Sequence, residues 1–170
     1  MKHFIVIDMQ NDFCTGALAN KDAVAIIPRI KEELQKARAE GSNIIFTRDT
    51  HGEDYLETGE GKHLPVKHCI IYKKGWEIVP ELMEETDEDT LFIDKLHFGY
   101  NNWEEFIKEG DEVTICGTVS EICVCSNALA LKAIEGVEVT VIADCCAGLT
   151  KEDHEAALKV MECCQCNIRR

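Results

Sequence analysis

Short apolar runs alternate with longer amphipathic segments along the whole chain. The first run, Phe4-Ile5-Val6-Ile7, contains only apolar residues and is followed at once by Asp8. Continuous apolar runs of this length are typical of strands that are buried on both faces of a parallel sheet. The pattern predicts six strands, at residues 3–8, 42–47, 90–94, 112–116, 137–142 and about 166–168.

The segments between these strands carry apolar residues at helical spacing. Ile26, Ile27, Ile30 and Leu34 share one face of a helix, and charged residues occupy the opposite face. The same spacing predicts helices over residues 21–39, 77–85, 101–109, 120–134 and 151–163. Alternating strands and helices with right-handed crossovers form a doubly wound sheet. We therefore predict an α/β fold in which residues 1–170 form one domain, with a six-stranded parallel sheet and helices on both faces.

Residues 48–75 are too long and too weakly periodic for an ordinary connection, and long ordered loops are usually functional. Asp49 and His51 open this segment, and Asp-x-His at the end of a strand places two ligands on the same side. A third ligand from the returning loop would complete a site for Zn²⁺, Mn²⁺ or Fe²⁺. A solvated acidic loop whose histidines cap turns is an equally good interpretation of the spacing. The other candidate ligands in the segment are Glu53, Asp54, Glu57, Glu60, His63 and His68.

Three ionisable residues that lie far apart in the chain each follow a predicted strand. Asp8 ends the first strand, Lys95 comes directly after residues 90–94, and Cys123 follows residues 112–116 after a short turn. In an open parallel sheet, ligands bind outside the carboxyl ends of the strands. Taken singly, Asp8 could be a turn cap and Lys95 a solvated charge. Their shared placement favours a site in which the three side chains meet.

Cys123 falls on the first turn of the helix predicted to follow the turn at Gly117. Free N–H groups and the helix dipole at that position favour a thiolate and could hold an oxyanion. By position alone a structural cysteine is the commoner interpretation, because free cysteines are often small buried hydrophobes. Cys125 competes for the role of nucleophile, and it would point about 200° further round the helix.

Composition narrows the class of protein. The 170 residues include 32 acidic and 18 basic side chains, and the resulting charge of −14 disfavours nucleic acid and anionic membranes as partners. No apolar run approaches the roughly 20 residues that a membrane span needs, and no signal peptide precedes the first strand. We expect a cytoplasmic protein in which the 10 cysteines are reduced thiols, metal ligands or a nucleophile.

Five short runs match a known family in their order and spacing. They are Ile7-Asp8-Met9-Gln10-Asn11-Asp12-Phe13, Thr47-Arg48-Asp49-Thr50-His51, Pro65-Val66-Lys67-His68-Cys69, Asp94-Lys95 and Gly117-Thr118-Val119-Ser120-Glu121-Ile122-Cys123-Val124. With these runs the chain resembles the cysteine hydrolases of the isochorismatase-like superfamily, and most closely their nicotinamidase/pyrazinamidase branch. The resemblance covers nearly the whole chain.

The resemblance implies a fold and a set of catalytic residues. It implies a six-stranded parallel sheet, a triad of Asp8, Lys95 and Cys123, and a cis peptide bond before Val119. The backbone N–H groups of Val119 and Cys123 would form the oxyanion hole, and Phe13 would pack on the ring of the substrate.

The resemblance also implies a metal site and an assembly. The family's metal ligands correspond to Asp49, His51 and His68, with Glu57 and Glu60 as the nearest candidates for a further ligand. The implied cofactor is a divalent metal, with zinc first and manganese or iron as alternatives. Relatives commonly form homo-oligomers and act on small amides, so both are expected here.

Two departures from the family pattern bear on the substrate. Thr50 stands where a Trp usually follows Asp49, and Leu64-Pro65 replaces an aromatic Trp-Pro pair. We predict a metal-assisted, cysteine-dependent amidohydrolase that converts nicotinamide into nicotinate and ammonia through a thioester. One alternative is a related hydrolase of another small amide or of isochorismate, whose relatives lack this metal set. Another is a non-catalytic metal or redox protein that uses the thiols of Cys145, Cys146, Cys163, Cys164 and Cys166.

Overall fold

The computed structural model describes residues 1–170, and its strands form one sheet. The strands are β1 (Lys2–Ile7), β2 (Asn43–Asp49), β3 (Leu91–Lys95), β4 (Glu112–Thr118), β5 (Glu138–Ala147) and β6 (Asn167–Arg169). All neighbouring pairs are parallel, and the strand order is β3-β2-β1-β4-β5-β6. The chain winds outward from β1 to β3 and then returns to β4 beside β1. This topology confirms the predicted fold class and opens a crevice at the carboxyl ends of β1 and β4.

The helices cover both faces of this sheet. They are α1 (Asn11–Cys14), α2 (Lys21–Ala39), α3 (Gly59–His63), α4 (Pro80–Met83), α5 (Cys125–Lys132) and α6 (Lys151–Cys163). Helix α2 packs on β1, β2, β4 and β5 through buried residues that include Ile30 and Leu34, as its apolar stripe predicts. Helices α5 and α6 pack against each other and against β5. No helix has the length and apolarity that crossing a bilayer would require.

Three of the predicted helices have the wrong extent. Residues 77–85 form only the short α4, and residues 101–109 form only a 3₁₀ turn at Trp103–Glu105. Short helices are marginal in water, and the Trp103 indole is held instead by a hydrogen bond of 3.1 Å to Asn127 Oδ1. Residues 120–134 begin with a π-helical turn at Ser120–Val124 before α5 starts. Cys123 therefore lies in an irregular turn rather than on the first turn of an α-helix.

Three strands, β2, β4 and β5, extend at least two residues beyond their predicted ends. β2 continues to Asp49, so this residue ends a strand instead of opening a loop. β5 continues to Ala147, because its register against β4 shifts between Ile115 and Gly117 and the pairing then resumes. Gly117 has φ +122°, and a Cβ atom there would lie 2.1 Å from the Ile7 carbonyl oxygen. Only glycine permits β4 to lie this close to β1 beside the crevice.

Candidate active site

Asp8 is fixed at the end of β1 by its neighbour on β2. Its backbone lies in the left-handed region, with φ +49°, which aspartate tolerates better than most residues. The Thr47 hydroxyl donates to Asp8 Oδ1 at 2.6 Å, and the Asp8 N–H donates to the Thr47 carbonyl at 3.3 Å. The carboxyl group is thus held in one position, and its residue is fully buried.

Lys95 joins this aspartate to the cysteine. Its Nζ atom lies 2.5 Å from Asp8 Oδ2 and 3.6 Å from the Cys123 sulfur, and it donates to the His97 carbonyl at 3.3 Å. The same Nζ atom lies 3.7 Å from Asp49 Oδ1. Lys95 is 1% exposed and Cys123 is 5% exposed. The structure therefore brings together the three residues that the sequence places after separate strands.

Burial and charge set the protonation of this cluster. Burial raises the pKa of the Asp8 carboxyl, although the Lys95 ammonium acts in the opposite direction. Burial alone would lower the pKa of Lys95, but Asp8 and Cys123 raise it above its usual value, so the lysine stays charged. Burial, reinforced by Asp8, raises the pKa of the Cys123 thiol well above its ordinary value. The expected stabilisation of a thiolate by the helix terminus is therefore wrong, because desolvation dominates.

The turn that carries Cys123 is held by buried contacts. The peptide bond between Thr118 and Val119 is cis, as the family resemblance implies. Asn127 Nδ2 donates to the Cys123 carbonyl at 2.8 Å and to the Phe98 carbonyl at 3.0 Å. Asn127 thus connects the turn that carries Cys123 to the segment after β3, the strand that ends at Lys95.

A second polar cluster is formed by residues at the carboxyl end of β2 and in the segment that follows β2. Asp49, His51, Glu60 and His68 each offer one ligand atom, and these atoms all lie within 4.8 Å of one another. Asp49 Oδ2 lies 2.9 Å from His51 Nε2 and 3.4 Å from His68 Nε2. Glu60 Oε1 lies 3.7 Å and 3.6 Å from the same two nitrogens. Glu57 is exposed and outside the cluster, so Glu60 is the carboxylate that joins the three predicted ligands.

The spacing of these atoms fits a divalent cation. Ligand atoms around a tetrahedral zinc ion with bonds of about 2.0–2.1 Å lie about 3.4 Å apart, close to the observed separations. Two imidazole nitrogens and two carboxylate oxygens are also a donor set that zinc, manganese and iron accept. We call these four residues, Asp49, His51, Glu60 and His68, the metal-ligand cluster.

Neighbouring groups orient the histidines of the metal-ligand cluster. His68 Nδ1 lies 2.8 Å from the Val66 carbonyl, so its Nε2 atom faces the cluster. The Tyr55 ring packs edge-on against His51 and His68, with centroid distances of 4.7 Å and 5.0 Å. Burial would raise the pKa of Asp49, but its bonds to the two histidines hold the pKa below its usual range. The carboxylate is therefore charged.

Backbone pairing brings the metal-ligand cluster together. The His51 N–H donates to the Cys69 carbonyl at 3.0 Å, and the Ile71 N–H donates to the His51 carbonyl at 2.9 Å. This backbone pairing places His68, the residue before Cys69, beside His51. Gln10 donates from Nε2 to the Asp49 carbonyl at 2.8 Å and accepts the Asp49 N–H at 2.7 Å. The chain after β1 is thereby fastened to the end of β2.

A cavity of about 330 Å³ opens at this edge of the sheet. Phe13 forms one wall, and its ring lies 5.7 Å from that of His68. Cys123 and three members of the metal-ligand cluster line this one cavity. No lysine or arginine lines it. Its lining residues are Phe13, Leu18, Ala19, Asn20, Asp49, Glu60, Leu64, His68, Phe98, Val119, Ile122, Cys123 and Leu149.

Several positioning residues were not singled out from the sequence. Thr47, Tyr55 and Asn127 each hold a site residue through a buried contact. Gln10 lies within a run that matches the family, but its bonds to Asp49 could not be deduced from spacing. The one available signal was Asn127 inside the helix predicted over residues 120–134, because Asn is unfavourable inside a helix unless its side chain is bonded.

The cysteines outside the active site do not form a comparable cluster. All 10 cysteines are free thiols. The metal-ligand cluster is the one group of at least three histidine, cysteine or acidic residues whose ligand atoms lie within 4.8 Å of one another. The hypothesis of a thiol-based metal protein therefore finds no support in the geometry.

A doubly wound sheet with two polar clusters at its carboxyl edge is typical of α/β enzymes. Residues 2–169 match the Isochorismatase domain family, and the chain belongs to that family. The predictions of the fold, of the family and of an enzyme are thereby confirmed.

Relatives in this family cover nearly the full chain. The nicotinamidase/pyrazinamidase of Mycobacterium tuberculosis is 26% identical over an alignment of 178 positions, which covers 95% of this chain and 94% of that protein. The nicotinamidase of Saccharomyces cerevisiae is 27% identical over an alignment of 208 positions, which covers 95% of this chain and 94% of that protein. The crystal structure of the Pyrococcus horikoshii pyrazinamidase in complex with zinc is 31% identical, with a TM-score of 0.83 and coverage of 99% of this chain and 98% of that one.

Proposed function

We propose that this protein is a nicotinamidase, a cysteine-dependent amidohydrolase that converts nicotinamide into nicotinate and ammonia. The observation that carries the proposal is that Cys123 lines the same cavity as the metal-ligand cluster, with Asp8 and Lys95 behind the thiol. The nicotinamidase and pyrazinamidase relatives support an enzyme that cleaves amide C–N bonds.

The proposed reaction begins with proton transfer. Asp8, whose pKa is raised by burial, takes the proton of the Cys123 thiol, and the thiolate attacks the amide carbon. The N–H groups of Val119 and Cys123 would hold the resulting oxyanion, and each such donor contributes about 3–4 kcal/mol in comparable sites. The C–N bond then breaks, and protonated Asp8 gives its proton to the departing ammonia.

Hydrolysis of the thioester completes the cycle. Asp8, ionised again, takes a proton from water, and the hydroxide attacks the thioester carbon. The C–S bond breaks, the Cys123 thiolate takes the proton back from Asp8, and the carboxylic acid leaves and loses its proton to solvent as nicotinate. Throughout, the Lys95 ammonium, which contacts both groups, stabilises the negative charge that passes between them.

The charge of the cavity supports a neutral substrate. No lysine or arginine lines it, while Asp49 and Glu60 contribute negative charge. Isochorismate is a dianion at neutral pH, and apart from a bound metal ion its two carboxylates would find no cationic side chain in the lining. A neutral heteroaromatic amide fits this environment better, with its ring against Phe13.

We further propose that the metal-ligand cluster holds a divalent ion, with zinc favoured over manganese and iron. A zinc ion is named in the crystal structure of the Pyrococcus horikoshii relative. The bound ion would supply a fixed positive charge that orients a ring nitrogen or a water bonded to it. The chain's own contribution is to fix the ring, through Phe13, relative to the Cys123 sulfur.

Replacing Glu60 by alanine is expected to weaken zinc binding at least 100-fold. Loss of an outer-shell partner already costs about 10–100-fold in metal affinity, and Glu60 points a carboxylate oxygen directly into the cluster. Titration against a chromophoric chelator measures the affinity. Glu57→Ala is the matched control, because this exposed glutamate lies three residues away and outside the cluster. Equal affinities for the two variants would remove Glu60 from the ligand set.

The purified, reduced protein is expected to release ammonia from nicotinamide, and a chelator is expected to stop this release until zinc is restored. Ammonia can be measured with a coupled dehydrogenase assay. Hydrolysis of another small amide in the absence of nicotinamide turnover would keep the amidohydrolase and contradict the nicotinamidase. No hydrolysis of any small amide by the metal-loaded protein would contradict both.

Three wider features are part of the same proposal. Nicotinate production would place the protein in NAD salvage. We also propose a cytoplasmic location, which fits the reduced thiols, and a homo-oligomer, which the family resemblance implies.

A further inference from the structure

The active-site cavity is divided into a buried polar floor and an exposed apolar mouth. On the floor, His68 is 2% exposed and Cys123 is 5% exposed. At the opening, Leu64, Phe98 and Leu149 are 38%, 47% and 63% exposed. We call these last three residues the apolar mouth. The reactive groups of the lining are therefore buried, whereas its exposed large side chains are apolar.

The cavity is larger than a single aromatic ring requires. Its volume is about 330 Å³, whereas an apolar protein cavity of about 150 Å³ already holds benzene. A pyridine carboxamide with its amide carbon at Cys123 and its ring beside Phe13 fills the floor. It would leave the three residues of the apolar mouth in water, so the outer part of the cavity is available to a longer ligand.

The three side chains of the apolar mouth offer no hydrogen-bond partner to a charged or polar ligand group. Asn20 is the polar residue of the lining outside the metal-ligand cluster and Cys123, and its side chain is already occupied. Asn20 Nδ2 donates to the Gly148 carbonyl at 2.9 Å, and Oδ1 accepts the Asp22 N–H at 2.9 Å. An occupant of the mouth must therefore be neutral and apolar, because a buried unpaired polar group is costly.

We propose that the apolar mouth binds an apolar extension of the substrate, so that the protein prefers heteroaryl carboxamides with a neutral alkyl group on the ring edge remote from the ring nitrogen and the amide. This inference rests on the proposed amidohydrolase function. It adds that Leu64, Phe98 and Leu149 determine specificity, and that nicotinamide is the smallest member of the accepted series.

The test compares nicotinamide with its 5-methyl, 5-ethyl and 5-propyl derivatives. Each methylene that the mouth buries is expected to lower KM about fourfold, which corresponds to 0.8 kcal/mol per CH₂, with little change in kcat. A 5-carboxyl derivative of comparable size is expected to be rejected. Leu149→Ala is expected to reduce the preference for 5-propyl over unsubstituted nicotinamide at least fourfold. Leu56→Ala serves as control, because Leu56 is 46% exposed and does not line the cavity.

The possible results separate the two proposals. A KM that rises with alkyl length, while nicotinamide is hydrolysed, would overturn the role of the apolar mouth and leave the nicotinamidase intact. Equal preferences of Leu149→Ala and Leu56→Ala for 5-propyl over unsubstituted nicotinamide would also overturn the role of the apolar mouth. This result is expected if a second copy of the chain covers the mouth. Turnover of the alkyl amides alone would support the mouth and replace nicotinamide as substrate. No turnover of any member would contradict the amidohydrolase itself.

Discussion

Replacing Cys123 by alanine is expected to abolish amide hydrolysis, lowering kcat by about 10⁵-fold or more, as removal of a nucleophile does in other hydrolases. The alanine variant has no atom that can form the thioester, and Asp8 has no thiol proton to accept. Ammonia release measures the loss, and mass spectrometry of protein mixed with substrate should show an acyl adduct in the unmodified protein alone. The substitution is small, so folding should persist.

Cys125→Ala is the matched control for this experiment. Cys125 begins α5 only two residues later, but it is half-buried, and its neighbours include the thiol of Cys164 rather than Lys95. Its replacement is expected to leave kcat within a few-fold of the unmodified value. Retained activity in Cys123→Ala, or loss confined to Cys125→Ala, would reverse the assignment of the nucleophile.

Replacing Asp8 by asparagine is expected to lower the free energy of unfolding by about 3–5 kcal/mol and to stop hydrolysis. The change keeps the shape of the side chain but leaves the Lys95 ammonium, which is 1% exposed, without its partner at 2.5 Å. Asp49 Oδ1, at 3.7 Å, compensates only in part. Urea denaturation measures the loss. Asp144→Asn is the control: the Asp144–Arg29 pair is 60% exposed on both sides, and such pairs contribute about 0–1 kcal/mol.

A double variant separates the buried charge from other effects of the substitution. Because the cost comes from an unpaired buried cation, adding Lys95→Met to Asp8→Asn is expected to restore most of the lost stability without restoring activity. If the double variant were less stable than Asp8→Asn alone, the ion pair would not be the source of the loss. If Asp8→Asn alone kept full stability, Lys95 would not depend on its partner.

The strands could be predicted from the sequence because each is buried on both faces. Residues such as Ile5 and Ile115 have no solvent-facing side, so the strands appear as continuous apolar runs whatever packs on them. All six were found, with ends that differ by one to five residues. The end of β5 was missed because its extension depends on a register shift against β4. The residues of β5 alone do not indicate this shift.

The short helices could not be predicted in the same way. Residues 101–109 have helical spacing, but only a 3₁₀ turn forms there. The Trp103 indole and the Tyr100 N–H both bond to Asn127, which lies more than 20 residues further along the chain. A few tertiary hydrogen bonds outweigh the weak local preference of a segment this short.

In the candidate site, too, some features follow from the sequence and others only from the tertiary structure. The sequence by itself determined which chemical groups stand at the carboxyl edge of the sheet, because strand ends and residue types are local properties. Only the tertiary structure decided that Glu60 rather than Glu57 joins the metal-ligand cluster, that burial raises the pKa of the Cys123 thiol, and that the cavity has an apolar mouth. Ligand spacing, pKa and cavity shape depend on distances between residues far apart in the chain and on the removal of water between them, and neither is a property of any one segment.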